Sequence, residues 1–356
     1  GITVANINGG AVSGRRNMII NGDQRIAQRG TTAKLATTTA SYKCVDRFKT
    51  DIDGSGGGDY FHAQTGTGTS ITADVPTGQG FSHSSKITVN TTASQPTSED
   101  NHSQIYTMLE QQDVYHLEWG TSAAKTCTLS FWVKSSVAGI YPLWMSIYTT
   151  SATQYYWTNY TIDSANTWEK KVITITGPTS GGALSSASLN GTGLRIEWTL
   201  GVGSDSETGT LNEWTTSVTF RTASGTVYLP ENAGATWYLT GVQFEVGSNA
   251  SAFEFRSFAE ELTLCQRYYE GVYMSDGTAL MKAYASYGGS ANFEYEFKVE
   301  KRSTPTWSLE GNAAWAGATP NAYESKSSAI FQHNGGTLFA LSDASQDLCG
   351  SFDAEL

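Results

Sequence analysis

Apolar and polar residues alternate along most of this chain, and where they do not, glycine, serine and threonine take over. The stretch WYLTGVQFEV sets Tyr238, Thr240, Val242, Phe244 and Val246 against Trp237, Leu239, Gly241, Gln243 and Glu245. Aromatic and β-branched residues at a period of two predict a strand. The pattern recurs upstream in CTLSFWVKSS, PLWMSIYTT, YYWTNYTID, WEKKVITITG and GLRIEWTLGVG, separated by turn-rich spacers such as SSVAG, SAT, SAN and PTSGG. Strands so spaced predict an antiparallel β-sandwich. Alternation points Cys127, Leu129, Phe131 and Val133 into its core, with Tyr156, Tyr160, Ile162, Ile173, Ile175, Leu194, Ile196 and Trp198. Trp132, Lys134, Tyr155, Trp157, Asn159, Arg195, Glu197 and Thr199 fall on the outer faces. The run from Ile105 to Trp119 has mixed polarity and predicts no definite element.

After Val246 the period changes. Ser257 stands three positions before Glu260, the spacing of a capping box, and Gly271 can end a helix in the left-handed conformation. Phe258, Leu262, Cys265 and Tyr269 share one face, so a helix is predicted over residues 257–271. A lone helix of about three turns is marginal in water, so its stripe docks on its own chain or forms an oligomer interface with other copies. Beyond it, ALMKAYASYGGSANFEYEFKVEKR predicts a hairpin in which Ala291, Phe293, Tyr295, Phe297 and Val299 alternate with charged or polar neighbours. TPTWSLEG, SSAIFQHNGG, GTLFALS and DLCGSFDAEL complete a small β domain. The expected fold is therefore all-β, with a flexible attachment arm (1–16), a sandwich domain (17–256), a connecting helix (257–271) and a C-terminal β domain (272–356).

Composition narrows the chemistry. A net charge of −11, with no basic cluster longer than Arg15-Arg16 or Lys170-Lys171, argues against nucleic acid, which demands a positive face. Cys44, Cys127, Cys265 and Cys349 have no CxxC spacing and read as small buried hydrophobes. No apolar run approaches the roughly 20 residues of a membrane helix, so membrane insertion is not expected. Asp51, Asp53 and Asp59 in DIDGSGGGD suggest oxygen ligands for a hard cation, but no bidentate Glu follows, and a solvated loop is the alternative. The five histidines lie apart, outside any HExxH or GxSxG context, so no catalytic residue is assigned. A glycosidase needs only two carboxylates, a requirement that sequence leaves open.

RRNMIINGDQRIAQRG, VDRF, LEWGTSAAKTCTLSFWVKSS, NTWEKKVITITG, GVQFEVGSNASAFEFRSFAEELTLCQRYYEG and the closing FDAEL resemble, in that order, the tail-fibre or receptor-binding type proteins of tailed bacteriophages. The resemblance runs from Arg15 to the end of the chain. It implies a non-enzymatic virion appendage, assembled in the host cytoplasm as a homotrimer with other virion structural proteins and binding a host-surface glycan. It also implies a central domain similar to the jelly-roll carbohydrate-binding modules, with an opening strand from Asn17 to Ile26 beside a closing strand from Trp237 to Val246. Such modules often hold a structural calcium near that junction. Asp23 matches, but Leu239-Thr240-Gly241-Val242 lacks the acidic residue expected opposite, and no cofactor is assigned.

A glycan site requires flat aromatic faces and polar neighbours on a rigid sheet. The outward residues Trp132, Tyr155, Trp157, Arg195 and Glu197 are the candidates. Trp168 is set aside as a plug at the end of the sandwich. A decoration or head-fibre protein without its own ligand and a polysaccharide-degrading spike are the alternative readings.

Overall fold

The inward-pointing residues of a period-two pattern must find a second layer, and here two sheets supply it to each other. The computed structural model describes residues 6–7, 10–11, 15–35, 40–52, 59–66, 72–98, 101–185, 188–206, 210–219, 222–223, 225–273, 281–283, 290–309, 314–317, 321–334, 339–342 and 348–356. The chain divides into two units, Gly1–Arg256 and Ser257–Leu356.

The first unit begins with a two-stranded ribbon, β1 (Asn6–Ile7) and β2 (Gly10–Ala11), within the stretch expected to be an arm; the rest of that stretch before Arg15 lies outside the described residues. It continues through β3 (Thr32–Leu35), β4 (Phe48–Ile52), β5 (Asp59–Gly66), β6 (His83–Thr91), β7 (His102–Glu110), a short helix α1 (Gln111–Val114), β8 (Cys127–Ser135) and β9 (Gly139–Tyr148). β10 (Thr153–Ile162), β11 (Glu169–Ile175), β12 (Thr192–Val202), β13 (Trp214–Thr215) and β14 (Thr236–Val246) complete it. The first sheet has the order β13-β10-β9-β12-β7-β4 and the second β11-β8-β14-β6-β5-β3, with antiparallel ladders throughout. This is an all-β sandwich of the jelly-roll kind.

Its core is the one that alternation predicts. Cys127, Leu129, Phe131 and Val133 of β8 are fully buried and share one cluster with Leu194, Ile196 and Trp198 of β12 and Tyr156 and Tyr160 of β10. Phe131 meets Tyr160 and Trp198 edge-on, with ring centroids 5.2 and 5.6 Å apart. β7 was unassigned from sequence because nearly all its residues are buried on both faces, which erases the alternation.

The segment expected to be the opening strand lies beside β14 but is not a regular strand. Met18 N–H donates to Phe244 O at 2.9 Å, Val242 N–H donates to Gly22 O at 2.9 Å, and the Asn17 amide bridges Val242 O and Phe244 N. Between these contacts the chain turns, with Asn21 and Gln24 at φ of 58° and 61°. Gly22 is required by crowding, since a Cβ there would fall 2.2 Å from Val242 O. The buried Arg256 guanidinium donates to the carbonyls of Asn17 and Ile19 and so ties the end of the unit to its beginning.

The second unit opens with the expected cap, Glu260 N–H donating to Ser257 Oγ at 3.2 Å, but helix α2 (Phe258–Gln266) is shorter than predicted. Tyr269 and Gly271 lie instead in β15 (Tyr269–Tyr273), paired with Asp353 and Ser351. The chain turns after Cys265, whose carbonyl accepts from Tyr268 N at 2.9 Å. The remaining strands are β16 (Met281–Ala283), β17 (Ser290–Glu296), β18 (Thr306–Leu309), β19 (Ala314–Gly317), β20 (Asn321–Glu324), β21 (Ser328–Asn334), β22 (Phe339–Ser342) and β23 (Leu348–Asp353). They form three small sheets ordered β15-β23-β18, β16-β22-β19 and β17-β21-β20. Among the described residues the predicted hairpin is not formed: β16 pairs with β22 and β17 with β21. A buried ion pair lies inside this unit, Lys301 Nζ to Glu270 Oε2 at 2.6 Å, with Tyr295 donating to Glu270 Oε1 at 2.8 Å.

Candidate functional site

On an antiparallel sheet, residues directly opposite on neighbouring strands share a face, so the register decides which outward side chains meet. Across the first sheet, Trp157 (β10) lies opposite Trp144 (β9), Trp144 opposite Glu197 (β12), Glu197 opposite Tyr106 (β7), and Tyr106 opposite Lys49 (β4). The next row holds Tyr155, Ser146, Arg195 and Met108. Two aromatic strands and one charged strand thereby deliver rings and a guanidinium to one patch.

Trp157 stacks on both of its neighbours, while Trp144 and Tyr155 are tilted by 38° to each other. Trp144 and Trp157 stack at 5.0 Å with planes 20° apart, and Tyr155 lies 6.1 Å from Trp157 at 19°. Trp157 is only 1% exposed and Trp144 7%, because Val202 and Leu211 pack with them, whereas Tyr155 keeps an open edge. Leu211 is held near by Asn212, whose N–H donates to Trp157 O at 2.7 Å and whose Oδ1 accepts from Thr158.

Arg195 is fixed from two sides. Its Nη2 donates to Glu197 Oε2 at 2.6 Å while Nε pairs with Oε1, and its guanidinium lies 3.8 Å from the Tyr106 ring centroid and 5.3 Å from that of Trp144. Burial raises the Glu197 carboxyl above its ordinary range, with Arg195 opposing the rise. The Nη2 hydrogen bond and the charge of a guanidinium that does not deprotonate are what favour the ionised form against that burial. Burial likewise raises the Tyr106 and Tyr155 hydroxyls, and for Tyr155 the nearby Tyr148 adds to the rise. At Asp51 burial pushes upward, but the His102 hydrogen bond and charge, with Arg195 behind them, hold the carboxyl below the usual range.

A groove of about 610 Å³ lies at the β9–β10 turn, lined by Tyr148, Thr149, Ser151, Thr153, Ser188 and Thr192 among others. Tyr148 belongs to the same face as Trp144 and Ser146, by the period of two along β9. The volume falls within the range of small-molecule pockets, and hydroxyls dominate its rim.

Of the five residues singled out from sequence, four share this face and one does not. Tyr155 and Arg195 lie in the row next to Tyr148 and Thr153, which line the groove. Trp157 and Glu197 lie on the expected side but are buried, so their role is to back Tyr155 and to hold Arg195. Trp132 is on β8 in the second sheet, half-buried near Phe81 and above Gly241. Trp168 does not plug the sandwich end: it reaches the outer face of the second sheet, where Nε1 donates to Asp74 Oδ1 at 3.1 Å and the ring meets Tyr238 edge-on. Sequence reasoning missed Trp144, Tyr148 and Tyr106. The first two were legible in PLWMSIY, whose alternation sets Trp144, Ser146 and Tyr148 against Leu143, Met145 and Ile147.

The stripe expected to form an oligomer interface is divided. Cys265 and Tyr269 are buried within the second unit, Phe258 is exposed and Leu262 half-buried, because the helix stops before Tyr269 joins it. The acidic loop does not gather its carboxylates. Asp51 lies 3.6 Å from His102, Asp59 pairs with Lys34 at 2.5 Å and accepts from Asn90, and Asp53 lies outside the described residues. Asp23 pairs with Arg25 at 2.9 Å. Among the described residues no cluster of three His, Cys, Asp or Glu could hold a metal, and no helix is long and apolar enough to cross a membrane.

No protein-family model matches the sequence, and no curated protein does. Among solved structures, the chain is similar to the enzymatically active domain of bacteriophage CBA120 tailspike protein 4, at 12% identity and a TM-score of 0.33, over 65% of this chain and 21% of that one. It is similar to a putative sugar binding protein from Bacteroides thetaiotaomicron at 14% identity and a TM-score of 0.33, covering 65% of this chain and 100% of the other. A CBM22-2 xylan-binding domain from Paenibacillus barcinonensis aligns at 13% identity and a TM-score of 0.30, over 64% and 96% of the two chains. At such scores the site has to be argued from this chain's own side chains.

Proposed function

We propose that the outer face of the first sheet binds a glycan, and that the chain acts through it as a tail-fibre type appendage of a phage virion, attaching to a host surface without cleaving it. The observation that carries the binding reading is that one face holds the half-buried Tyr155, a guanidinium 3.8 Å from the Tyr106 ring centroid and, one row on, the Tyr148 and Thr153 of a hydroxyl-lined groove. Sugars present apolar C–H faces that stack on rings and hydroxyls that accept from planar donors. The virion assignment is supported by the sequence resemblance. Assembly as a homotrimer would use Phe258 and Leu262, the stripe residues that the second unit leaves uncovered or half-covered. Light scattering on the purified chain tests it: three times 38.3 kDa is expected, and a monomer contradicts it.

One observation favours cleavage as a second reading. Glu197 and Asp51 both lie on this face, and a pair of carboxyl groups is what glycoside cleavage requires. Glu197 is fully buried beneath Arg195, which favours binding over catalysis. Incubation with polysaccharide purified from the host surface separates the two. Retention on the polysaccharide without release of reducing ends is expected, and release of reducing ends would establish the second reading.

A further inference from the structure

The charges around the groove go beyond binding in general and select a class of ligand. Arg195 lies one row from the Tyr148 and Thr153 of the groove, and its charge is already met by the fully buried Glu197, with Asp51 adding a second negative group within electrostatic reach. Lys49, in the row of Glu197 and Tyr106, is held over the rings of Tyr42 and Tyr106, 5.4 and 5.8 Å from their centroids. Among the described residues the rim carries serine, threonine and tyrosine hydroxyls and no ionised side chain. The whole chain is at −11, so a polyanion approaches against the mean field.

Arg195 nevertheless has donors to offer. A guanidinium carries five N–H groups in a rigid plane, and Glu197 takes the edge formed by Nε and Nη2. Nη1 makes no hydrogen bond among the described residues. Stacking on Tyr106 and the grip of Glu197 fix the plane, so this free edge is presented in one orientation, suited to a pair of sugar oxygens.

Resting on the glycan-binding reading above, we infer that this face selects an uncharged glycan over an acidic one, with Arg195 as the specificity-determining residue and Glu197 as the residue that positions and neutralises it. An acidic sugar would have to meet a guanidinium whose charge is spent, next to Asp51. A neutral sugar needs only the fixed donors and the hydroxyl rim.

The test is calorimetric titration of the full chain with neutral hexaoses of glucose, galactose and mannose, and with the same hexaoses oxidised at C6 to uronates. At least one neutral hexaose is expected to bind, with a Kd that changes less than about twofold between low and high salt, as uncharged ligands do. Its uronate form is expected to bind at least about tenfold more weakly. Equal or tighter binding of the uronate overturns the inference and leaves glycan binding standing. Failure of all hexaoses, neutral and acidic, overturns the glycan reading and the inference with it. Glu197→Gln, checked for folding by circular dichroism, is expected to shrink the preference for the neutral form and to introduce salt dependence, because it uncovers the Arg195 charge. An unchanged preference in the folded variant overturns the role given to Glu197, and the wild-type ratio decides the rest without it.

Discussion

The two sheets of the sandwich share a core and present similar side chains outward, yet they use them differently. On the first sheet, Trp157 stacks nearly parallel on both Trp144 and Tyr155, and Arg195 keeps a donor edge free one row from the Tyr148 and Thr153 of a groove. On the second, Tyr238 lies between Lys86 and Lys134, and Asp74 accepts from both Lys134 and Trp168, which ties those two side chains together. Trp132 is there as well, lodged by Phe81 above Gly241, which at φ 60° has no Cβ to obstruct it. Outward aromatic residues alone do not make a binding face. What marks the first sheet is stacked rings, a free donor edge and a concavity one row on.

The largest effect that would sharpen this contrast comes from the covered ring of the first sheet. Trp157→Ala is expected to cost about 3–5 kcal/mol of stability, as large-to-small changes in cores do, and denaturant unfolding measures it. A cost near that of a surface change would mean that Trp157 is not the backing of the face. Next comes a titration built into the second sheet. His62 is fully buried beside Ser85, its Nε2 2.7 Å from Oγ, and burial lowers its pKa from 6.5 to about 3. The folded state therefore binds fewer protons than the unfolded one. Stability is full above pH 6.5 and declines as pH falls toward 3, with a slope approaching about 1.4 kcal/mol per pH unit from this group. Melting of wild type and His62→Gln from pH 7 to 5 checks this, the variant showing the flatter profile.

Smaller effects separate binding from folding. Tyr155→Ala is expected to weaken glycan binding at least about tenfold, close to 1.4 kcal/mol, with a smaller loss of stability than Trp157→Ala. Asp74→Ala removes an ion pair in which Asp74 is about one-third exposed, and is expected to cost no more than about 1 kcal/mol and leave binding unchanged. A binding defect in Asp74→Ala would move the ligand to the second sheet.

The inner faces were legible in the sequence because burial imposes a strict period on any strand with one wet side. β12 shows the limit of that signal. Alternation put Arg195 and Glu197 opposite Leu194 and Ile196 correctly, but it could not tell that Glu197 would be buried. Whether an outer face is open depends on what crosses it, and Leu211 reaches Trp157 from more than fifty positions along the chain. The same holds for Trp132: period two assigns a face within a strand, and only the ladder order shows that its strand lies in the other sheet. The helix was overextended for a related reason. The spacing of Cys265 and Tyr269 fits one helical face, but Tyr269 gains its burial from pairing with Asp353 in β15, a contact that local spacing does not encode.

The central claim is that ligand binding belongs to the first sheet and not to the second. Its most direct measurement is the binding of wild type, Tyr155→Ala and Trp132→Ala to one immobilised glycan panel, each variant matched for folding. The account predicts that Tyr155→Ala loses the wild-type signals by at least about tenfold while Trp132→Ala keeps them. Loss in Trp132→Ala with retention in Tyr155→Ala would contradict it.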